Sequence, residues 1–557
     1  MDNLRIFLWV GFALLIWIAV QTWQTDYAKP QPSIPAAASA ASGEVPPAPG
    51  SEAAEELLPA LPALPGVAAT NEVSAVESAP VADSAAVVSV RTDVLDLEIG
   101  LVGGDIRRAS LPAYPIHKDQ PNVPVTLLNP DPATLYLFHN GLRAADGQPE
   151  PNHLASYTAT QTNFSLADGE DTLVVTLYWN EGPLKAEKIY RLRRGHYDIQ
   201  FEYRLTNEGQ SPYRAVAYQQ IQRRHLPMER SMFNVDTYSF TGPVVYNGQK
   251  YQKLPFDDLA DEPFEQTVAN GWLASIQHHF LTAVVPAAGQ QTNYQVTASG
   301  DIYQQNAIGA DFTSVAQGET VTFPSKLFIG PKLQTQLETT APGLVLTVDY
   351  GRLTLLAEPL FWLLAKVHGL VGNWGWTIIL VTFLIKLVFY KLTETSGRSM
   401  AKMRKMQPRL KALQDRFKDD REAMSKALMD LYKREKVNPA AGCLPMLIQI
   451  PFFIAFYWTL VESVEMRQAP FALWITDLSS RDPFFILPLL MGAAMWFQQK
   501  LNPAPPDPVQ AKVMQFLPIM FTGMFAFFPA GLVLYWLTNS VLSMAQQWRI
   551  NKVLGAD

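Results

Sequence analysis

The chain has 557 residues, 48% of them hydrophobic, with 44 Lys/Arg against 51 Asp/Glu and a net charge of −7. That length exceeds one ordinary domain, and the overall charge hides opposed regions, because residues 391–436 alone hold 14 Lys/Arg against 7 Asp/Glu. The single cysteine, Cys443, excludes an internal disulfide, so any body in an oxidising compartment rests on its core alone.

Ile6 to Thr25 carries no charge, and at 1.5 Å per residue this run reaches about 30 Å, the thickness of a bilayer core. It is longer than the apolar part of a usual signal peptide and has no small-x-small site after Val20, so residues 1–25 read as an uncleaved transmembrane anchor. Residues 26–90 hold ten prolines, eight acids and one lysine amid many alanines. Such a mixture cannot bury enough surface to fold and predicts a disordered tether.

Between residues 91 and 350 the pattern becomes β-rich. The runs 94–99, 172–179, 198–206, 280–287 and 344–350 predict strands separated by Gly, Asn, Asp and Pro turns. A segment of this size with few amphipathic helices suggests one large β sandwich. The adjacent pair His278–His279 lacks the flanking ligand spacing of a zinc site and reads as a packed or solvated feature, and no phosphate-binding loop motif is present. Residues 351–370 are apolar on one side, with Arg352, Glu358, Lys366 and His368 sparsely placed. Two readings stand: an amphipathic helix in the membrane interface, or a helix capping the β domain.

From residue 371 onward the uncharged runs lengthen. Trp374 to Tyr390 contains one cation, Lys386; Ala440 to Val461, Pro483 to Gln499 and Val513 to Trp548 contain none. The last has 36 residues, about 54 Å of helix, and is divided by Pro529-Ala530-Gly531 into two spans. With the N-terminal anchor this predicts six transmembrane helices. The basic segment 391–436, and Lys500 and Lys512, mark internal loops, whereas residues 462–482 hold two basic against four acidic residues. By the positive-inside rule both termini are cytoplasmic and residues 26–350 lie outside.

Within the segment 393–438, Met403, Met406, Leu410, Leu413 and Phe417 recur at helical spacing, and Met424, Leu428 and Leu431 continue the pattern past Asp419-Asp420. This predicts a cytoplasmic helical hairpin ended by Asn438-Pro439. Its cations serve either as a solvated surface and topology signal or as a docking face for anionic lipid, ribosomal RNA or targeting machinery.

Lys386 is the candidate functional charge. Thr382 lies one turn earlier on the same face, and Gln449 is the polar residue midway along its own span. A water-filled cavity between helices would hydrate all three. Against this stands a lysine near a span end snorkelling to the interface.

The stretch WGWTIILVTFLIKLVFY (374–390), the charged hairpin and NPAAGCLPMLIQIPFFIAFYW (438–458) together resemble the YidC-type membrane protein insertases of the Oxa/Alb superfamily. The resemblance covers residues 371–548 strongly and the β region in general character. It implies a bacterial inner-membrane insertase and chaperone of the Gram-negative form, with a periplasmic β sandwich similar to sugar-mutarotase domains and an interfacial helix before the second span. It places Lys386 where relatives most often carry arginine, in a hydrophilic groove open to cytoplasm and lipid. It puts Gln449 at a polar groove position and either Tyr535 or Trp536 at an aromatic one. Lysine keeps the charge of arginine but not its planar fork. Beyond Trp548 only Arg549 and Lys552 are basic, so the long basic tail of some relatives is absent.

Implied partners are nascent membrane proteins, membrane lipids and, through 393–438, the Sec translocon and the ribosome or targeting machinery. No DNA partner, cofactor, metal or covalent step is called for, so the chain reads as non-enzymatic. A small-anion transporter or channel using Lys386 is the rival reading, although no repeated halves are visible. A glycan-binding module on a membrane anchor is the third.

Overall fold

A computed structural model describes residues 87–145, 147–227, 239–417, 421–435, 444–501 and 508–554. The N-terminal anchor, nearly all of the tether, Cys443, Asp419-Asp420 and Asn438-Pro439 lie outside the described residues. The first strand, Val87–Arg91, begins inside the segment assigned to the tether.

Residues 87–350 form a β sandwich. Its nine-stranded sheet runs, in spatial order, Tyr251–Lys253, Gly242–Tyr246, Trp272–Ile276, Phe280–Pro286, Thr320–Pro331, Asp198–Asn207, Leu184–Arg193, Thr172–Glu181 and Thr158–Ala159. A second sheet is built on Tyr213–Arg224, flanked by Ile302–Gly309 and by Tyr136–Ala144. Strand alternation puts Phe201, Tyr203 and Leu205 inward while Gln200 and Arg204 face out. Bonds between sheets join Tyr203 to Asn140 (2.8 Å) and Gln305 Nε2 to the Ala274 carbonyl (2.9 Å). A five-stranded sheet of the first strands completes the domain.

The sandwich encloses one ionic network. The ammonium of Lys188, whose side chain has no exposed surface, donates to Asp105 Oδ1 (2.7 Å) and the Gly103 carbonyl (2.8 Å). His139 Nδ1 meets Asp105 Oδ2 at 2.9 Å, and the rings of Tyr157, Tyr190 and Tyr203 lie within 5.8 Å of the ammonium. All of its charges are therefore paired, as a buried site requires.

The run 344–350 is not a strand. After helices α1 (Phe256–Asp261) and α2 (Gln334–Thr340), Gly343 takes φ 73° and Leu344–Thr347 forms a 3₁₀ turn, closed by Thr347 Oγ1 donating to the Leu344 carbonyl (2.7 Å). Leu344, Val348 and Tyr350 bury their side chains without a sheet edge to pair with. Apolar content alone does not distinguish these outcomes.

Nine helices follow among the described residues: α3 (Thr354–Val371), α4 (Trp374–Val388), α5 (Tyr390–Lys405), α6 (Gln407–Arg416), α7 (Arg421–Arg434), α8 (Leu444–Glu462), α9 (Ile486–Leu501), α10 (Pro508–Phe525) and α11 (Ala530–Leu554). Helix α11 packs against α4, α5, α8 and α9 and is the centre of the bundle, while α3 packs on α8 and α4. Among the described residues, only α3 is by itself long and apolar enough to cross a membrane, and α4 with α5 passes the same test as a pair bent by 71°. The bend falls at Phe389, which leaves helical geometry (ψ 8°) and sets its ring edge-on to Phe452. Helices α6 and α7 pack on each other, with Leu410 and Leu428 buried and the Arg409–Glu435 ion pair (2.6 Å) joining their segments.

Sandwich and bundle meet at the C-terminal end of α8. His278 and His279 stack at 3.7 Å, and both donate Nε2 protons to the Val461 carbonyl (3.0 and 3.1 Å). A carbonyl only accepts, which fixes the tautomer of both rings. Glu462 is buried beside them and accepts from Ser239 Oγ (2.7 Å). Farther on, Arg467 and Gln468 donate to the Pro115 carbonyl. The histidine pair is thus packed between the two parts of the molecule.

Candidate functional site

Helix α4 forms because Asn373 caps it, its side chain accepting the Trp376 N–H (3.1 Å), and because the following residues are apolar with no internal break. One face, Gly375, Ile378, Val381 and Thr382, is buried against the bundle, and Leu380, Phe383, Leu384 and Leu387 are exposed. Lys386, half-buried, lies one turn beyond Thr382 and points toward α11.

Four of the five residues singled out in the sequence converge. Thr382, Lys386, Gln449 and Tyr535 line a cavity of about 30 Å³ together with Phe389, Thr393, Phe452 and Asn539. This is room for roughly one or two waters, well below the few hundred Å³ of a small-molecule site. Lys386 Nζ donates to Ser543 Oγ (2.7 Å), whose own proton goes to the Asn539 carbonyl (2.7 Å). Gln449 Nε2 donates to Asn539 Oδ1 (2.7 Å). The two polar groups from α4 and α8 are thereby held by one turn of α11.

Of Tyr535 and Trp536, it is Tyr535 that lines the cavity. Its ring stacks on Phe456 (4.4 Å between centroids). Trp536 instead packs against Phe453 (4.5 Å) and Phe525 (5.2 Å) and does not line it.

Asn539, Ser543 and Gln546 were not singled out from the sequence. They recur at i, i+4 and i+7 and meet α8, α4 and α5 in turn, with Gln546 Nε2 bonded to Thr393 Oγ1 (2.9 Å). Helical periodicity of polar residues inside an uncharged run was the available signal. Among the described residues no group of three or more His, Cys, Asp or Glu is placed to hold a metal.

The family model described as the 60Kd inner membrane protein matches residues 366–556, and that of the YidC periplasmic domain matches residues 87–363. The membrane protein insertase YidC of Thioalkalivibrio sulfidiphilus is 46% identical over 99% of this chain and 98% of its own length. The chain belongs to the YidC insertase family. Its relative in Nitrosococcus oceani, also named membrane protein insertase YidC, is 45% identical over 99% of both chains. A solved structure of an active YidC insertase covers 83% of this chain and 92% of its own at 18% identity, with a TM-score of 0.37. A galactose mutarotase related enzyme from Lactobacillus acidophilus covers 44% of this chain at 9% identity and a TM-score of 0.30, a likeness that brings no sugar chemistry with it.

Proposed function

We propose that this protein inserts newly made proteins into the bacterial inner membrane and assists their folding, with Lys386 as the charge that receives a client's polar flank. The observation that carries this reading is the polar constellation Lys386–Ser543 and Gln449–Asn539 around a small cavity, inside helices whose outer faces are apolar. An ionisable residue at such a place is costly and marks a functional path. Membership of the insertase family supports the reaction class.

In the topology that accompanies it, the anchor, α4, α8, α9, α10 and α11 cross the membrane, the shorter ones where the bilayer is locally thinned, and α3, although long and apolar enough to span, lies in the outer interface as the resemblance to insertases implies. Both termini and the α6–α7 pair are cytoplasmic, and the β sandwich is periplasmic. The support is the charge asymmetry of the loops. The basic α5–α7 region is the face offered to ribosome, targeting machinery or Sec translocon.

A client's acidic or polar N-terminal flank is drawn toward Lys386, while its apolar segment slides along the exposed faces of the bundle. The membrane potential then favours outward release of negative charge. No bond is made or broken.

The test is protease protection of a reporter whose translocated tail carries zero, one or two acidic residues, in membranes holding equal amounts of each variant. Lys386→Arg preserves insertion because charge is kept, Lys386→Glu blocks acidic tails by repulsion, and Lys386→Ala is intermediate and spares neutral tails. Parent-like insertion of every reporter by the Ala and Glu variants refutes the electrostatic role.

A further inference from the structure

The connection from α8 to α9, residues 463–485, is short of regular structure yet firmly built. Val464, Met466, Ala469, Ile475 and Leu478 are buried, the last four within the core shared with the bundle. Asp477 accepts from the Gln468 and Ser479 amides (3.1 and 2.8 Å) and from the hydroxyls of Ser479 and Ser480 (2.7 and 2.6 Å). Asp482 accepts from Trp474 Nε1 (3.0 Å) and from the amides of Phe484 and Leu487 (3.0 and 2.7 Å). The connection is also fastened to its surroundings. Asn373 donates to the Phe471 carbonyl (3.0 Å), the Phe471 ring occupies the space that a side chain at Gly375 would need, and the Ala530 amide donates to the Ser480 carbonyl (2.7 Å).

Of the four non-glycine residues with positive φ among the described residues, three lie here: Gln468 (58°), Leu473 (55°) and Phe485 (57°). Bulky apolar residues rarely adopt this conformation, and strain held by a well-bonded frame points to a role for the side chain it displays. The displayed side chains are unusual for a surface. Leu473 is 85% exposed, Phe484 64% and Phe485 40%, although other apolar residues of the connection fold into the core of the molecule. Their apolar surface continues into the bundle's outer face, through Trp376 (52% exposed), edge-on to Phe471, at the start of α4 and through Leu489 and Leu490 on the first turn of α9. With Asp477 and Asp482 committed to internal hydrogen bonds, Arg481 is the exposed charge beside them.

We propose that the 463–485 connection is a lipid-seated brace: Leu473, Phe484 and Phe485 insert at the boundary between headgroups and acyl chains of the outer leaflet, with Arg481 at the level of the lipid phosphates. A rigid frame displaying apolar side chains continuous with a lipid-facing surface fits a lipid interface, and a basic residue at its edge complements phosphate. The brace fixes the depth of the outer ends of α4 and α9 in the bilayer, because both are tied to it. The inference rests on the reading that α4 and α9 cross the membrane.

The experiment uses the full chain in a Cys443→Ser background, reconstituted in vesicles of phosphatidylethanolamine and phosphatidylglycerol. A nitrobenzoxadiazole label is attached at Leu473→Cys, at Phe484→Cys, or at Leu489→Cys as the bilayer reference. Expected are blue-shifted emission and quenching by shallow nitroxide lipids at all three positions, with little quenching by iodide and no need for a client. Lipid quenching at 489 with iodide quenching at 473 and 484 overturns the brace while leaving the bundle in the bilayer. Iodide quenching at all three overturns both readings. If 473 and 484 leave water only when a stalled nascent chain is present, their occupant is the client and the brace is likewise overturned.

Discussion

Lys188 illustrates what one buried charge demands. Burial pushes the Asp105 carboxyl up, but the Lys188 ammonium and His139 outweigh it and hold Asp105 below its ordinary value. Burial likewise pushes the Lys188 ammonium down, with Asp105 opposing, and the close ion pair favours both charges near neutral pH. Replacing Lys188 by Met leaves a buried carboxylate without its cation, which costs about 3–5 kcal/mol. The expected result is a lower urea midpoint for the sandwich in the full chain, followed by tryptophan fluorescence. Asp105 binds its proton less readily folded than unfolded, so its contribution is present above pH ~4 and is lost on further acidification. None of this was legible in the sequence, where Lys188 is one charge in an alternating strand. Lys386 was legible because it interrupts an uncharged run, Thr382 followed from helical spacing, and Gln449 stood out as the polar residue midway along its own span. Ser543 and Asn539, which hold those groups, carry no charge and left no comparable mark.

At the level of elements, the junction behind α8 gathers buried groups whose protonation differs from that of the unfolded chain. Burial pushes Glu465 up to about 7, consistent with a carboxyl oxygen that finds no hydrogen-bond partner, and burial pushes Lys332 down to about 8 despite Glu462 and Asp349. From pH ~4.5 to 7 the folded chain holds a proton on Glu465 that the unfolded chain has released, so stability falls as pH rises. From about 8 to 10.5 the unfolded chain holds a proton on Lys332 that the folded chain lacks, so stability rises. Each step amounts to about 3 kcal/mol from about 2.5 pH units. Melting temperatures compared across pH should show Glu465→Gln removing the lower step and Lys332→Met the upper one. The strand runs at 172–179 and 198–206 were readable from alternation, because a half-buried strand writes period two into its residues, whereas 280–287, buried on both faces, was readable only as a β-rich run between turn residues. The 344–350 run was misread because a 3₁₀ turn with buried side chains draws on the same residue types.

For the molecule as a whole, the sandwich is held to the bundle by the histidine pair and the Pro115 contacts rather than placed around the Lys386 site. Deleting residues 87–330 is therefore expected to leave insertion of the reporters largely working, while the bundle melts a few degrees lower as Val461 and Glu462 turn to water. Complete loss of insertion by a stably expressed deletion would locate the machinery in the sandwich instead. The division into a β sandwich and a helical C-terminal part was readable from composition, because each draws on a different residue set; the docking was not, since it joins residues nearly 200 positions apart, such as His278 and Val461. The bend at Phe389 carries a consequence for the lipid. Helix α4 keeps 15 residues before the chain turns aside by 71°, about 22 Å of rod against a hydrocarbon layer of roughly 30 Å. In the proposed topology, a film that follows so short a rod is pinched beside it, and a hydrated headgroup dragged through a pinched film meets a narrower dielectric wall.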